Sequence, residues 1–464
     1  MIVGARKMQT QEPEERAAKE PGSPATEESE EELMNPVLVP REPTHAEPLS
    51  ITFPELLDKS LGELEYSLQT TFLIDPEWVL YQYAFAGYAQ TPLLLLYGEN
   101  VLEQDAVSCG FDTMPHVTAL KIDMKHDYGL HHTKMGLYAY RDGSMRVVIA
   151  TANLLPREWH YLTQGLWVSP TLPAVAEDAP AMYGESVTGF RRSLLTYLNA
   201  YDLPELEAWQ ARIRKTDFTG VKVFLVASVP GEHSNLRTGP IWGHPRLGFL
   251  LSLHSAPIDD SCPLVAQCSG VGSYGPKPES WVLGEIMRSF RKDSAPSCPR
   301  QNPTFCLIYP SHANVLQFNG GGMYSKEVHN RQRWLTQYLY QWSCHTRHRN
   351  TAMSHIKTYC RWSHEGLYWF LLTSANFSKS AWVVTWKNNP LRIYNYEAGV
   401  LFMPNIMLNE DVFPMHPNGK HPPFPMPYDV PLVPYGPDDE PYLYDLDLDE
   451  SDTDEGEAQT DKSS

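Results

Sequence analysis

His131-His132-Thr133-Lys134-Met135, followed by Thr151-Ala152-Asn153-Leu154, and His355-Ile356-Lys357, followed by Ser374-Ala375-Asn376-Phe377, are the stretches on which the fold reading turns. His132, Lys134 and Asn153 recur as His355, Lys357 and Asn376, each displaced by 223 residues, with the same internal spacings of two and nineteen. One His-x-Lys carries no weight in a chain with 17 His, but two with a matched Asn argue for a duplicated unit. One imidazole, one ammonium and one amide from each unit point to a single shared site that reads a phosphate.

The surrounding sequence places these words on strands. Met135–Tyr140 and Met145–Thr151 flank a polar Arg141-Asp-Gly-Ser144 turn, a hairpin signal with Asp-Gly at its tip. The second half repeats the pattern, with a turn near Ser363–Gly366 and a strand over Leu367–Ser374. Alternation along a strand sends His132 and Lys134 to one face. Pro92–Tyr97 and Val221–Ser228 read as strands, Phe190–Leu198 and Glu205–Arg214 as helices. Phe72-Leu-Ile-Asp-Pro-Glu-Trp78 reads as a helix start, with Asp75 as cap and Pro76 at the first helical position.

Four stretches follow: an acidic tail over 1–48, expected to be disordered, a first domain over 49–218, a second over 219–430, and a Pro-rich to acidic tail over 431–464. The net charge of −19 belongs to the ends. Residues 1–48 carry 11 acidic and 5 basic side chains and residues 428–464 carry 13 and 1, which leaves the middle nearly neutral. Within it, Arg288–Arg361 holds 11 Lys and Arg against Asp293 and Glu327, interleaved with Trp334, Tyr338, Tyr340, Trp342 and Trp362, a candidate nucleic-acid groove. No apolar run reaches membrane-spanning length, and the N-terminus has no signal-peptide pattern. Seven scattered Cys without paired spacing read as reduced thiols, not a zinc site or a disulfide framework.

Around one phosphodiester, two Lys and two Asn bracket the non-bridging oxygens, where negative charge gathers as a nucleophile adds. Two His provide a nucleophile on one side and a proton donor on the other, and covalent catalysis through a phosphohistidine follows. No acidic or histidine cluster has metal-ligand spacing, so no metal and no cofactor is expected and the cationic work falls to Lys134 and Lys357.

These residues carry a resemblance to the phospholipase D superfamily, which uses two His-x-Lys half-sites. The superfamily Asp five residues beyond each Lys is replaced by Ala139 and Trp362, which argues against a phospholipase, cardiolipin synthase or ordinary bacterial nuclease. Together with Arg146-Val-Val-Ile149, Trp159-His-x-x-x-Gln164-Gly165, His355-Ile-Lys-Thr-Tyr359, Ser378-Lys-x-Ala-Trp382 and Tyr394-x-Tyr-Glu-x-Gly-Val-Leu401, the pattern resembles the tyrosyl-DNA phosphodiesterase family acting on 3′ ends, over about residues 50–430. The resemblance implies an α/β fold of two similar domains, each a mixed sheet flanked by helices, related by a pseudo-twofold with the active site at their interface. It implies hydrolysis of 3′-phosphotyrosyl and other 3′-blocking adducts through a phosphohistidine, leaving a 3′-phosphate and resolving stalled topoisomerase I–DNA complexes.

By the same resemblance His132 is the nucleophile and His355 the general acid and later base, with Lys134, Lys357, Asn153 and Asn376 as the phosphate clamp. Gln164 and Glu397 orient the two His. A carboxylate stabilises an imidazole that becomes cationic on phosphorylation, which assigns Glu397 to His132 and Gln164 to His355, with the reverse pairing left open. The family's Ser-rich DNA-contacting loop matches Cys268-Ser-Gly-Val-Gly-Ser273, nominating Ser269, Gly270 and Ser273, although Gly270 replaces a Ser. Phe72 falls where a base is stacked, its other reading being packing at the helix start, and Arg361 is a further candidate phosphate contact.

The implied partners are single- and double-stranded DNA with a tyrosyl peptide on the 3′ end. No membrane is implied, and the protein is expected to be a monomer in the nucleus, with cytoplasm or mitochondrion as alternatives. The rival readings are another phospholipase D-type phosphodiesterase or nuclease, including one acting on lipid head groups, and an idle scaffold that binds DNA ends. All six residues of the constellation are intact, which speaks against the scaffold.

Overall fold

Runs of apolar and β-branched residues around each His-x-Lys build two sheets with the same plan. The computed structural model describes residues 2–3, 49–100, 114–124, 126, 129–180, 182–233, 239–295, 301–315, 324–385 and 391–444. The first half contains β1 (Ile2–Val3), β2 (Leu64–Ile74), β3 (Leu93–Asn100), β4 (Val117–Lys121), β5 (Met135–Tyr140), β6 (Met145–Ala150) and β7 (Gln164–Val168). The second contains β8 (Phe224–Ser228), β9 (Gly231–His233), β10 (Leu264–Gln267), β11 (Phe305–Ile308), β12 (Leu339–Tyr340), β13 (Thr358–Trp362), β14 (Leu367–Thr373), β15 (Val384–Thr385), β16 (Leu391–Ile393) and β17 (Glu397–Phe402).

The strand orders are β1-β7-β6-β5-β2-β3-β4 and β8-β17-β14-β13-β10-β11-β12. In each sheet the last three strands run parallel and the other pairings are antiparallel. The duplication visible in the motif spacing is therefore a duplication of the whole sheet. Strands β9, β15 and β16 form a separate small sheet.

Alternation along the central strands shows how the sheets pack. Met145, Val147 and Ile149 of β6 and Leu367, Phe370 and Leu372 of β14 face one core shared by both halves, joined by Phe190, Leu194, Trp209 and Ile213 from helices Phe190–Asn199 and Glu207–Arg214. Val148 and Ala150 face a core under helix Pro76–Phe85, and Trp369 and Leu371 face one under helix Gly243–His254. Gly165 sits where β7 meets the second half; a Cβ there would come within 2.5 Å of Leu372 and 2.7 Å of Ile356. A side chain at that position would force the halves apart.

Local expectations mostly hold. The hairpin turns at Gly143 with φ +89, and Asp142 Oδ1 accepts from the Ser144 backbone N–H at 2.9 Å. Asp75 caps helix Pro76–Phe85 through the Trp78 N–H at 3.0 Å. Phe72, however, lies within β2 and not at the helix start, because that strand runs on to Ile74.

Two stretches differ from the sequence reading. Ile2–Val3 pairs with Gln164–Gly165 as an edge strand, in the topological place that β8 occupies in the second sheet; residues 4–48 lie outside the described residues. Beyond Leu401, Phe413, Met426 and Tyr428 are buried in the shared core. Bridges from Pro434 to Tyr340, Pro441 to Ser311 and Tyr444 to Ser325 then strap residues 431–444 to the second half. The acidic run after Tyr444 lies outside the described residues. Five cysteines among the described residues are buried and form no disulfide with one another, and Cys109 and Cys298 lie outside them. No helix among the described residues is long and apolar enough to cross a membrane.

Candidate active site

The two His-x-Lys segments meet because each is stitched to the opposite half. The His132 N–H donates to the Tyr396 carbonyl at 3.0 Å, and the Tyr396 N–H to the Leu130 carbonyl at 3.0 Å. Reciprocally, the Thr163 N–H donates to Met353 and the His355 N–H to Thr163, at 2.8 and 2.9 Å. These crossed bridges place His132 next to Glu397, the first residue of β17, and His355 next to Gln164, the first residue of β7.

Between them opens a cavity of about 420 Å³ lined by Phe72, His132, Asn153, Glu158, His355, Asn376 and Glu397, with Ser269, Gly270 and Tyr444 at its border. His132 Nδ1 lies 2.9 Å from Glu397 Oε2. That carboxylate also accepts from Ser374 Oγ at 2.5 Å and, on Oε1, from Asn395 Nδ2 at 3.0 Å. With Nδ1 engaged, the His132 ring is left with Nε2 for the cavity. His131 is different: its two ring nitrogens meet the Thr71 carbonyl at 3.0 Å and the Tyr201 hydroxyl at 2.9 Å, and burial pushes its pKa down to about 3. It is a structural, neutral histidine.

The clamp residues are held from below. Lys134 Nζ donates to its own half's His132 carbonyl at 2.7 Å, and Lys357 Nζ to the His355 carbonyl. Burial lowers the pKa of Lys134 to about 8, and burial plus repulsion from Lys134 lowers that of Lys357 to about 7. A phosphate seated between the ammonium groups relieves that repulsion, so binding an anion is coupled to fully charging the pair. Asn153 Oδ1 accepts from the Leu73 N–H at 3.1 Å, and Asn376 Oδ1 from the Gly270 and Ser269 N–H groups at 3.0 and 3.3 Å. Both amides are thereby oriented with oxygen toward backbone; Asn153 Nδ2 gives one of its two N–H donors to Glu158 and keeps the second.

Gln164 and Glu397 sit as the sequence reading paired them, Glu397 on His132 and Gln164 on His355, where Gln164 Oε1 lies 3.2 Å from Nδ1. Phe72 lies beside the constellation, its ring 5.8 Å from that of His132 and 5.8 Å from Lys134 Nζ. Ser269 and Gly270 border the cavity, but their N–H groups are committed to Asn376, so they orient the clamp and are not free donors for a DNA phosphate. Ser273 is exposed and outside the cavity lining.

Arg361 is a correction. It is fully buried at the far end of β13, and its guanidinium donates to the carbonyls of Asp259, Cys262 and Arg291 at 2.9, 3.0 and 3.4 Å. It lies four residue steps along the strand from Lys357, about 13 Å. Arg361→Ala should leave KM unchanged and lower stability by about 3 kcal/mol, since it strips buried carbonyls of their donor; thermal melting beside substrate titration checks both. The aromatics of the basic segment are also not a groove. Trp342 is buried, Trp334, Tyr338, Tyr340 and Trp362 pack against the cores, and none lines the cavity.

One residue escaped the sequence reading. Glu158, on helix Pro156–His160, places Oε2 3.2 Å from His355 Nδ1. The same carboxylate accepts from the Asn153 N–H and Nδ2, both at 2.6 Å, and from Gln164 Nε2 at 3.1 Å. Burial works to raise its pKa, but His355 and Asn153 outweigh burial and hold it well below the carboxylate range. Among the described residues no group of three or more His, Cys, Asp or Glu is placed to hold a metal ion.

Comparison with known proteins agrees with this geometry. Residues 39–436 match the family described as tyrosyl-DNA phosphodiesterase. The chain is 48% identical over 419 residues to tyrosyl-DNA phosphodiesterase 1 of Drosophila melanogaster, covering 87% of this chain and 72% of that protein. It is 32% identical over 409 residues to a probable tyrosyl-DNA phosphodiesterase of Caenorhabditis elegans, covering 84% of each. The yeast tyrosyl-DNA phosphodiesterase structure superposes with a TM-score of 0.63 at 19% identity, over 85% of this chain and 96% of that one, a likeness of fold. The family match and these relatives make the chain, with its duplicated α/β fold and paired His-x-Lys half-sites, a phosphodiesterase. The chain belongs to the tyrosyl-DNA phosphodiesterase family.

Proposed function

We propose that this enzyme removes tyrosyl peptides from DNA 3′ ends in two chemical steps. His132 Nε2 attacks phosphorus, the bond to the tyrosyl oxygen breaks, and His355 gives its Nε2 proton to that oxygen. His355, now neutral, then takes a proton from water, whose oxygen displaces His132 and leaves a 3′-phosphate. The observation that carries this is the opposed pair of histidines on one cavity, each with Nδ1 held by a group from the other half of the chain. A ring fixed through Nδ1 keeps its second nitrogen aimed at phosphorus for one partner and at the leaving oxygen for the other.

Charge balance supports the same reading. Two lysines and two carboxylates of the site cancel, so the phosphodiester anion is balanced by one proton, the one the general acid carries. A phenol has a pKa near 10, so one acid suffices to release it. The substrate inferred here is a topoisomerase I–DNA adduct trimmed to a peptide, which makes the role one in DNA repair and the nucleus its proposed place.

Activity on a 3′-phosphotyrosyl oligonucleotide is expected to survive EDTA, because Lys134 and Lys357 neutralise the phosphate. Release of tyrosine and a 3′-phosphate oligonucleotide in chelator supports the reading. Activity lost in EDTA and restored by zinc or magnesium contradicts it.

A further inference from the structure

The two carboxylates of the site stand in unlike places. Strands β7 and β17 occupy the same position in their sheets, and Gln164 opens one as Glu397 opens the other. The second half therefore offers His132 a carboxylate directly, whereas the first half offers His355 a neutral amide at the matching place. Glu158 makes up the difference from the helix that follows Asn153. It has no counterpart in the repeat, since the residue five beyond Asn376 is Ala381 where Glu158 stands five beyond Asn153.

We propose that Glu158 is the positioning carboxylate of the general acid, so that the halves exchange charge: Glu397 of the second half serves His132, and Glu158 of the first serves His355. This rests on the two-step reading above for the role of His355. Gln164 also meets Nδ1, at 3.2 Å, but it is a neutral amide, its oxygen shared with Thr151 Oγ1 at 2.7 Å and its nitrogen with Glu158. The carboxylate alone brings a negative charge, and that charge favours the imidazolium.

The groups facing His355 set the sign. Burial, the largest influence, disfavours the cation, Glu158 favours it, and Lys357 from its own segment and Lys134 from the other half disfavour it, to give a pKa of about 4. A phosphodiester anion against the two lysines offsets their repulsion and raises the value in the complex. The acid must be protonated for leaving-group departure, so kcat falls as pH rises through the His355 pKa of the complex. Removing the Glu158 charge lowers that pKa, and the fall moves to lower pH.

The test follows kcat against pH at saturating substrate for the wild type, Glu158→Gln and Glu158→Asp, on oligonucleotides carrying 3′-phosphotyrosine or a 3′-(4-nitrophenyl) phosphate. The second leaving group departs without protonation. Glu158→Gln should lose roughly 100-fold on the tyrosyl substrate and less than about tenfold on the nitrophenyl one, with its high-pH limb moved down. Glu158→Asp, which keeps the charge, should hold the limb near its wild-type place.

Equal losses on both substrates with an unmoved limb would overturn the proposal and leave Glu158 as a clamp on Asn153. A second arm uses Asn153→Ala, which removes that clamp and keeps the charge. Its loss should be alike on both substrates with the limb in place, and a limb displaced as in Glu158→Gln would also overturn the proposal. A leaving-group split in Glu158→Gln without any covalent adduct would instead refute the phosphohistidine step and leave the Glu158 assignment standing.

Discussion

Replacing His132 by alanine should abolish covalent capture of DNA and lower turnover of 3′-phosphotyrosyl DNA on the order of 10⁴-fold or more. The size follows because, among the described residues, the neighbouring nitrogen nucleophiles are engaged elsewhere. Lys134 donates to the His132 carbonyl beneath the ring, and both nitrogens of His131 are engaged with Thr71 and Tyr201. Glu397 is left buried without the imidazole it holds, but Ser374 and Asn395 still satisfy it, so the variant should fold. A denaturing gel after incubation with labelled substrate, beside a thermal melt, reads both outcomes.

Replacing His355 by asparagine should slow the enzyme differently. The first step needs His355 as an acid, but a phenol leaves tolerably without full protonation. The second needs it as a base, and water attacks poorly without one. We therefore expect roughly a 100-fold loss in the first step and a larger loss in the second, so that enzyme–DNA adduct accumulates and migrates as a shifted band. Accumulation in the His132 variant in place of the His355 variant would reverse the assignment of roles.

The sequence made the site visible to the extent that the repeat preserved it. His132, Lys134, Asn153 and their partners 223 residues on could be read off because identical spacing marks identical places on two sheets. Asp75 and Pro76 announced their helix through local backbone chemistry. Glu158 did not show, because it breaks the symmetry: Ala381 stands at the equivalent place, and the carboxylate reaches His355 only through tertiary packing.

Arg361 misled for a related reason. Strand β13 is buried on both faces, so no polar alternation reveals that this side chain turns inward to Asp259 and Cys262. The aromatics between Arg288 and Arg361 were equally ambiguous, since core and base-stacking residues are the same types. Ile2–Val3 is too short to carry a period, and only the matching place of β8 gives it meaning.

The central claim is that phosphorus is transferred to His132. Trypsin cuts after Lys125 and Lys134, so the segment 126–134 carries His126, His131 and His132 on one peptide. Fragmenting the DNA-bearing peptide from the trapped His355→Asn adduct should place an acid-labile phosphoramidate on His132. A nucleotide found on His131, on a lysine, or on any residue outside this peptide would contradict the account.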